Sequence, residues 1–342
     1  MKVGNNVNSQ AVNSQLHAES KPPVPKWQRT KQMLQYREAG IGIVAVLLVV
    51  VFQLLDSSFL TVANLKVVFQ LSAEIAVIAI AEVIVMVLGE IDLSVGNVFA
   101  FAPFIMYFAY EAGLPLLAAI VVGLLSGVAV GWVNAILHVK LHVPSFIATL
   151  ATLYTVLGIT LLMSGGYPVD APGSGWIVAV MGGSGWSVVV WAIVIGIIWH
   201  FLLKRSRFGI YTVAVGSNAV GSREVGIPTD RIRMLNFVLA GLLAATIGIV
   251  EGFNVGSIDP LAGGTSLLLE GIAAAVIGGT AMTGGSGTIV GAAIGAFVIA
   301  ALNDGMNLLG VNAYLFDVVL GVAIAVAMII NIRVVRLRGT IR

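Results

Sequence analysis

Residues 114–138 read LPLLAAIVVGLLSGVAVGWVNAILH. These 25 residues include no Asp, Glu, Lys or Arg, and most of them are apolar. About 20 mostly apolar residues are enough for an α-helix to cross the hydrocarbon core of a membrane. A strand of a membrane β-barrel would instead alternate apolar and polar residues over about ten positions. The stretch therefore predicts a membrane-spanning helix.

The composition of the whole chain agrees with this local pattern. Of the 342 residues, 58 % are hydrophobic and 10 % are charged, and the mean hydropathy is +1.02. Soluble globular domains carry about 25 % charged residues. The low charge content excludes an ordinary soluble enzyme, a disordered protein and a nucleic-acid binder. The lack of cysteine excludes a disulfide framework, a thiolate metal site and a cysteine nucleophile.

Similar apolar runs fill most of the chain and predict an all-α, polytopic transmembrane bundle of about ten spans within residues 39–332. A polar tail, 1–38, precedes the bundle, and a basic segment, 333–342, follows it. Eight or nine spans with a re-entrant segment remain an alternative near 89–94 and 283–288, where glycines interrupt the runs. The runs are 39–55, 63–89, 94–111, 114–138, 145–163, 186–203, 234–254, 265–282, 288–306 and 312–332.

The distribution of basic residues predicts the orientation. Lys and Arg collect in the cytoplasmic loops of membrane proteins. If ten spans start from a cytoplasmic N-terminus, 17 of the 18 Lys and Arg residues fall on the cytoplasmic side, and only Lys66 lies near the outer face. The sequence therefore predicts a cytoplasmic-membrane protein with both termini in the cytoplasm.

Two segments of the chain resemble each other. SVGNVFAFAPFI (94–105) and TIVGAAIGAFVI (288–299) share a Val-Gly pair followed by small and aromatic residues. The two segments lie about 195 residues apart, and the same shift places Glu74 one residue from Glu270. The similarity predicts a parallel repeat of about four helices, with substrate expected at the repeat interface. Chance similarity between helices rich in Gly, Ala and Val is the alternative.

The connection 204–233 is the most polar stretch after the tail and carries six Lys and Arg residues. An apolar core and a Gly-Ser-Asn turn at 216–218 precede a predicted short helix from Ala219 to Val225. Gly226 suits the end of that helix, and Pro228 follows it. From the residues alone, a docking role for a partner and a simple connecting role are equally favoured.

Two further segments combine polar residues with glycine. In LGEIDLSVG (88–96), Glu90 and Asp92 lie between two spans, where Asp92 either caps the next helix or contacts substrate. GGTAMTGGSGTIVGAAIGA (278–296) has seven glycines in 19 positions, which permits sharp turns and close helix contact. The chain contains no P-loop motif, so ATP is not expected to bind it in that manner.

Several acidic residues fall inside the predicted spans, where they usually face the bundle interior or a wet cavity. They predict either a cation or proton path or a set of hydrogen-bond acceptors, and Glu82, near mid-span, is the best candidate for a functional acid. His138 and His142 have helical spacing but no third ligand, so no metal site is expected. The acids are Glu74, Glu82, Glu251, Glu270, Asp304 and Asp317.

Together these motifs resemble the permease subunits of bacterial ABC importers for monosaccharides, the ribose/xylose/arabinose/autoinducer-2 class. The resemblance covers roughly residues 40–335 in the family's order. One departure is Arg223-Glu224, which stands where small residues are more usual. The matching stretches are LGEIDLSVG (88–96), VPSFIATLATLYTVLGI (143–159), RFGIYTVAVGSNAVGSREVGI (207–227), IAAAVIGGTAMTGGSGTIVGAAIGA (272–296) and LNDGMNLLGVNAYLFDVVLGVAI (302–324).

The resemblance implies a transport subunit that makes and breaks no bonds. Two permease copies in the membrane lipid would form the pathway, a cytoplasmic ATPase would bind ATP and Mg, and a periplasmic protein would deliver a monosaccharide or related polyol. The alternatives are a branched-chain amino acid ABC permease and an ion-coupled secondary transporter.

The resemblance also implies roles for particular residues. The loop 207–227 would dock on the ATPase through Arg207, Gly209, Tyr211, Gly216, Asn218, Ala219, Arg223, Glu224 and Gly226. A neutral polyol needs hydrogen-bonding groups and an aromatic face. The candidate pathway residues are Ser94, Asn97, Phe99, Phe101, Thr280, Thr283, Ser286, Asn303 and Asn307.

Overall fold

A computed structural model describes residues 37–339. These residues form thirteen helices and one pair of two-residue strands, β1 (Val169–Asp170) and β2 (Ser257–Ile258), which are antiparallel. Short π-helical turns, Ile136–Lys140 and Ala179–Gly183, continue α4 and α6. The helices are α1 (Arg37–Leu55), α2 (Val62–Met86), α3 (Val95–Glu111), α4 (Leu116–Ala135), α5 (Ser145–Ser164), α6 (Trp176–Val178), α7 (Ser187–Arg205), α8 (Arg207–Ser217), α9 (Ala219–Glu224), α10 (Thr229–Val255), α11 (Gly264–Ile277), α12 (Ile289–Leu308) and α13 (Ala313–Gly339).

Each of the ten predicted apolar runs coincides with a helix, which confirms the all-α bundle. Six helical segments are long and apolar enough to cross a membrane, and shorter apolar helices accompany them at Gly40–Leu55, Gly264–Ile277 and Tyr314–Val326. The predicted polar tail, 1–38, lies outside the described residues except for its last two positions, which begin α1. Of the predicted C-terminal segment, residues 333–339 continue α13.

Helices α4 and α10 pack against each other backbone to backbone. Gly123, Gly127 and Gly131 are spaced by four residues and therefore lie on one face of α4. A Cβ atom on Gly127 would clash with the carbonyl oxygen of Gly241 on α10, and one on Gly131 would clash with that of Phe237. Small residues at such contacts let membrane helices approach closely.

Helix α3 begins inside the bundle and not at its end. A Cβ atom on Gly96, in the first turn of α3, would clash with the carbonyl oxygen of Gly264, the first residue of α11. The 14 residues of α11 extend about 20 Å before they reach the loop 278–288. The segment after α2 therefore turns back into the bundle. The predicted run 94–111 starts inside the bundle, away from the end at which the loop 278–288 lies.

The connections gather at two opposite ends of the bundle. At one end, which we call the basic face, lie the segments 87–90, 136–145, 204–233 and 278–288. The backbone N–H of Gly285 donates to the carbonyl of Val87 over 2.8 Å, and Lys140 Nζ lies 3.9 Å from Asp230 Oδ2. At the opposite end, β1 pairs with β2 and Gln70 Nε2 donates to the carbonyl of Gly185.

We expect Gly127→Leu to destabilise the fold by roughly 1–3 kcal/mol or more, because the new side chain forces α4 away from α10. The matched control is Gly158→Leu on α5, where an added Cβ atom meets nothing within 4 Å. Thermal unfolding of the purified variants in detergent measures the difference. Equal midpoints for the two variants would show that the α4–α10 contact does not limit stability.

Candidate functional site

Helices α8 and α9 form a helical hairpin on the basic face. Ser206 Oγ accepts the N–H of Gly209 at the start of α8, and Asn218 Oδ1 accepts the N–H of Gly221 at the start of α9. Gly226 ends the hairpin at φ +84°, where a side chain would be strained. The predicted short helix is confirmed, with Glu224 as its last residue.

The segment before α9 differs from the prediction. The apolar core, Gly216 and Ser217 belong to a helix, α8, and Asn218 alone separates it from α9. Gly209, Thr212 and Val215 are buried at spacings of three residues, so one face of α8 packs on the bundle. Because Gly209 has no side chain, α8 lies directly on the carbonyl oxygens of Leu202 and Leu203 in the last turn of α7.

Three segments come into close backbone contact at the end of α8. A Cβ atom on Gly216 would clash with the carbonyl oxygen of Val87, at the end of α2. One on Gly284 would lie 2.7 Å from the carbonyl oxygen of Gly216. We call Val87, Gly216, Gly284 and Gly285 the glycine junction. These contacts place α8 directly against the end of α2 and the loop 278–288, and a Cβ atom on Gly285 would lie 2.5 Å from Ser217 Oγ.

The structure divides the predicted docking residues into two groups. Arg223 is exposed, and its Nη2 lies 3.3 Å from Asp230 Oδ1. Gly209 is buried, and Tyr211, Gly216 and Ala219 are half-buried. The exposed group comprises Arg207, Asn218, Arg223, Glu224 and Gly226.

The hairpin also exposes two apolar side chains that the sequence-based prediction missed. Val220, on α9, and Val225, directly after it, are 72 % and 78 % exposed. Their signal in the sequence is an apolar residue on each side of the polar Gly-Ser-Arg-Glu segment, 221–224. Together they leave apolar surface on an otherwise polar segment of the basic face.

Asp92 is held by a buried hydrogen-bond network. Its Oδ1 accepts the N–H and the O–H of Ser94, at 2.9 and 2.6 Å. Asn134 Nδ2 donates to Asp92 and to Ser94, and Thr152 Oγ1 donates to Asn134 Oδ1 at 2.6 Å. The carboxylate therefore joins the start of α3 to α4, and through Asn134 to α5. It accepts the N–H of Ser94, the N-cap residue, and does not cap the first turn of α3.

Glu90 links the same loop to the end of α4. Its Oε2 accepts the hydroxyl of Ser145 at 2.6 Å, and its Oε1 lies 3.0 Å from His138 Nε2. Burial raises the pKa of Glu90, but the hydrogen bonds from His138 and Ser145 outweigh it and hold this pKa below its usual value. His138 Nδ1 lies 2.9 Å from the carbonyl oxygen of Val143, so both ring nitrogens have protein neighbours.

A cavity of about 380 Å³ lies between α2, α3, α10 and the segment 256–263. Three carboxylates line it, those of Glu74, Glu251 and Asp259, together with Ser257 and the ring of Phe99. We call it the acidic cavity. Carboxylates accept hydrogen bonds, and an aromatic ring offers an apolar face, so the lining suits a small neutral molecule with several hydroxyl donors.

The walls of the acidic cavity are fixed by the surrounding helices. Asn254 Nδ2 donates to Glu251 Oε2 at 3.1 Å. Pro103 lies inside α3 and has no N–H for the carbonyl of Phe99, four residues earlier. Gly248 of α10 packs directly against that carbonyl, where a Cβ atom would clash. These contacts hold Phe99 against the cavity.

The structure does not bring the nine predicted pathway residues to one place. Ser94 and Asn97 are buried at the start of α3, and Asn97 Nδ2 donates to the carbonyl of Leu153. Of the nine, only Phe99 lines the acidic cavity. The others are Phe101, half-buried against the core; Thr280, Thr283 and Ser286 on the loop 278–288; and Asn303 and Asn307, which are hydrogen-bonded to each other on α12.

The acids outside the acidic cavity occupy different surroundings. Glu82 is fully buried on α2. Asp304 Oδ2 accepts a hydrogen bond from Asn64 Nδ2 at 2.7 Å. Glu270 is half-buried on α11, and Asp317 is exposed on α13. They do not form a continuous row with Glu74 and Glu251 along one helix.

Residues 64–328 match the family model described as "Branched-chain amino acid transport system / permease component". The xylose/arabinose import permease protein XylH of Sulfolobus acidocaldarius is 38 % identical over 305 residues, 86 % of this chain and 84 % of XylH. The ribose import permease protein RbsC of Escherichia coli K12 is 33 % identical over 311 residues, 88 % of this chain and 95 % of RbsC. The autoinducer 2 import system permease protein LsrC of Salmonella typhi is 33 % identical over 294 residues, 84 % of this chain and 83 % of LsrC. No solved structure shows a significant match.

Proposed function

The chain belongs to the permease family of binding-protein-dependent ABC importers and is a sugar-import permease, and we propose from this premise that two copies of it form a translocation pathway for a neutral monosaccharide. It is a transport subunit without a catalytic domain, and in this family a separate ATPase binds ATP. A periplasmic binding protein delivers the sugar to the end that carries β1 and β2. A pentose is favoured, because the relatives named above include xylose/arabinose and ribose permeases.

We further propose ten spans with both termini in the cytoplasm. The support is the clustering of cations at one end. Of the cations between residues 64 and 328, Lys66 belongs to the opposite end, and the basic face carries Lys140, Lys204, Arg205, Arg207, Arg223, Arg231 and Arg233. By the positive-inside rule the basic face is cytoplasmic.

The proposed parallel repeat gains support from the order of the elements. Helices α2 and α11 both run toward the basic face, and each is followed by a glycine-containing loop and a helix that returns, α3 or α12. The two halves differ in how that loop is held, since Thr288 Oγ1 accepts the N–H of Gly291 at the start of α12 while Ser94 makes no such cap on α3.

Coupling to the ATPase is assigned to α9 and the glycine junction. The observation that carries this proposal is the exposure of Val220 and Val225 on a polar face, directly beside the junction. When an ATPase subunit bound to α9 changes position, α8 moves with it. The backbone contact of Gly216 with Val87 then passes the movement to α2.

The acidic cavity favours a sugar over an amino acid. The described lining residues include no Lys or Arg that could pair with the carboxylate of leucine. A neutral sugar brings only hydroxyl groups to the oxygens of Glu74, Glu251 and Asp259. The family description nevertheless names branched-chain amino acids, and the intramembrane acids favour ion coupling as a second rival.

Uptake into proteoliposomes that contain the ATPase and a loaded sugar-binding protein tests the proposed function. We expect labelled pentose to accumulate, uptake to stop when ATP is depleted and to survive an ionophore, and leucine not to enter. Uptake that is independent of ATP and sensitive to an ionophore would support a secondary transporter. Leucine uptake would support a branched-chain amino acid permease. In the same assay Glu251→Gln is expected to slow pentose uptake about tenfold, because the amide replaces an oxygen that accepts hydrogen bonds, while Glu111→Gln at the end of α3 leaves it unchanged.

Val220→Asp combined with Val225→Asp is expected to abolish co-purification of the ATPase and its stimulation by the binding protein, because two charges replace the apolar contact. Val62→Asp is the matched control, since Val62 is 82 % exposed at the opposite end. Retained ATPase binding by the double variant, with normal stimulation, would exclude α9 as the docking element.

Because the chain has no cysteine, a single introduced thiol reports orientation. We expect a membrane-impermeant maleimide added outside intact cells to label Ser57→Cys, between α1 and α2, and to leave Glu224→Cys on α9 unlabelled until the membrane is opened. The reverse pattern would place the basic face outside.

A further inference from the structure

An apolar groove runs along the membrane-facing surface between α1, α2, α7 and α12. Its volume is about 720 Å³. Helix α7 lines it from Val189 to Phe201, a length of about 18 Å at 1.5 Å per residue. This is close to the depth of one leaflet, about half of the ~30 Å hydrocarbon core.

The groove is deep because small residues form its floor. Gly42 of α1, Ala76 of α2 and Gly196 of α7 lie among the lining residues. Its rim consists of exposed apolar side chains, such as Ile193, at 56 %, and Ile197, at 54 %. The described lining residues include no Asp, Glu, Lys or Arg. A groove of this kind accepts a hydrocarbon chain and no charged group along its length.

Two cations stand at one end of the groove. The guanidinium carbon of Arg205 lies 5.8 Å from the centre of the Phe201 ring, and Phe201 lines the groove. This cation–π contact holds the guanidinium at the mouth. Lys204 is exposed beside it. Among the residues whose side chains the structure describes, the ion pairs are those of His138, Lys140 and Arg223, so no carboxylate in this set neutralises Arg205 or Lys204.

We propose that this groove binds an anionic phospholipid of the cytoplasmic leaflet, with an acyl chain along α7 and the phosphate on Arg205 and Lys204. The assignment of the leaflet rests on the proposed orientation. Basic pockets between membrane helices on the cytoplasmic side select anionic head groups. A second copy of this chain fits the groove less well. A partner related by twofold symmetry would bring its own Lys204 and Arg205 to the same leaflet, where they would repel the Lys204 and Arg205 of the first copy.

Native mass spectrometry of the purified permease, supplied with phosphatidylglycerol and phosphatidylcholine in equal amounts, tests the site. We expect the wild type to retain phosphatidylglycerol preferentially. Gly196→Leu is expected to lose the retained lipid, because its side chain fills the groove while its Cβ atom meets only Ile80 Cδ1 at 4.0 Å. Arg205→Gln is expected to lower the affinity for phosphatidylglycerol about fivefold and to leave that for phosphatidylcholine unchanged.

Two control variants make the result specific. Gly158→Leu adds the same side chain outside the groove, and Arg231→Gln removes a different cation from the basic face. Both are expected to bind lipid like the wild type. Equal retention of the two lipids by the wild type, unchanged binding in Gly196→Leu, or dissociation of a dimer in that variant would overturn the proposal. Pentose uptake and cysteine labelling are measured separately, so failure of the lipid site is distinguishable from failure of the proposed function.

Discussion

The close backbone contact between α4 and α10 is the constraint on which the rest of the bundle depends. Lipid tails are as apolar as the helices, so packing in the membrane comes from surface fit, and glycine allows the closest fit. Gly127 and Gly241 provide that fit here. Helix α10 then carries Gly248 and Glu251 to the acidic cavity, while α4 carries Asn134 and His138 to the loop after α2.

The helices were predictable because the signal for a span is local. A run of about 20 apolar residues is sufficient wherever it occurs in the chain. The start and end of α9 were predictable for a similar reason, since Asn218 and Gly226 act on neighbouring backbone groups. The helical state of α8 was not, because β-branched residues such as Ile210 and Val213 favour strands locally, and packing against the bundle overrides that preference.

The site was harder to predict because its parts come from distant segments. Residue type alone predicts polar residues of the glycine-rich motifs as pathway residues, yet the side chains of Ser94 and Asn97 form hydrogen bonds with α4 and α5. The deep start of α3 depends on the contact of Gly96 with Gly264, 168 positions away, which no local pattern reveals. That contact places Phe99 beside Glu251 and creates the cavity.

One helix joins the two functional ends of this arrangement. Glu74 of α2 lines the acidic cavity, and Val87, thirteen residues on, is the α2 side of the glycine junction. Thirteen residues of helix extend about 20 Å. Most of the side chains on this half of α2 are buried, so the helix cannot bend freely and moves as a rod. In the proposed mechanism, a displacement of α9 at the basic face would reach the carboxylate of Glu74 along this helix, and ATP hydrolysis on the separate ATPase subunit would change how the acidic cavity holds a sugar.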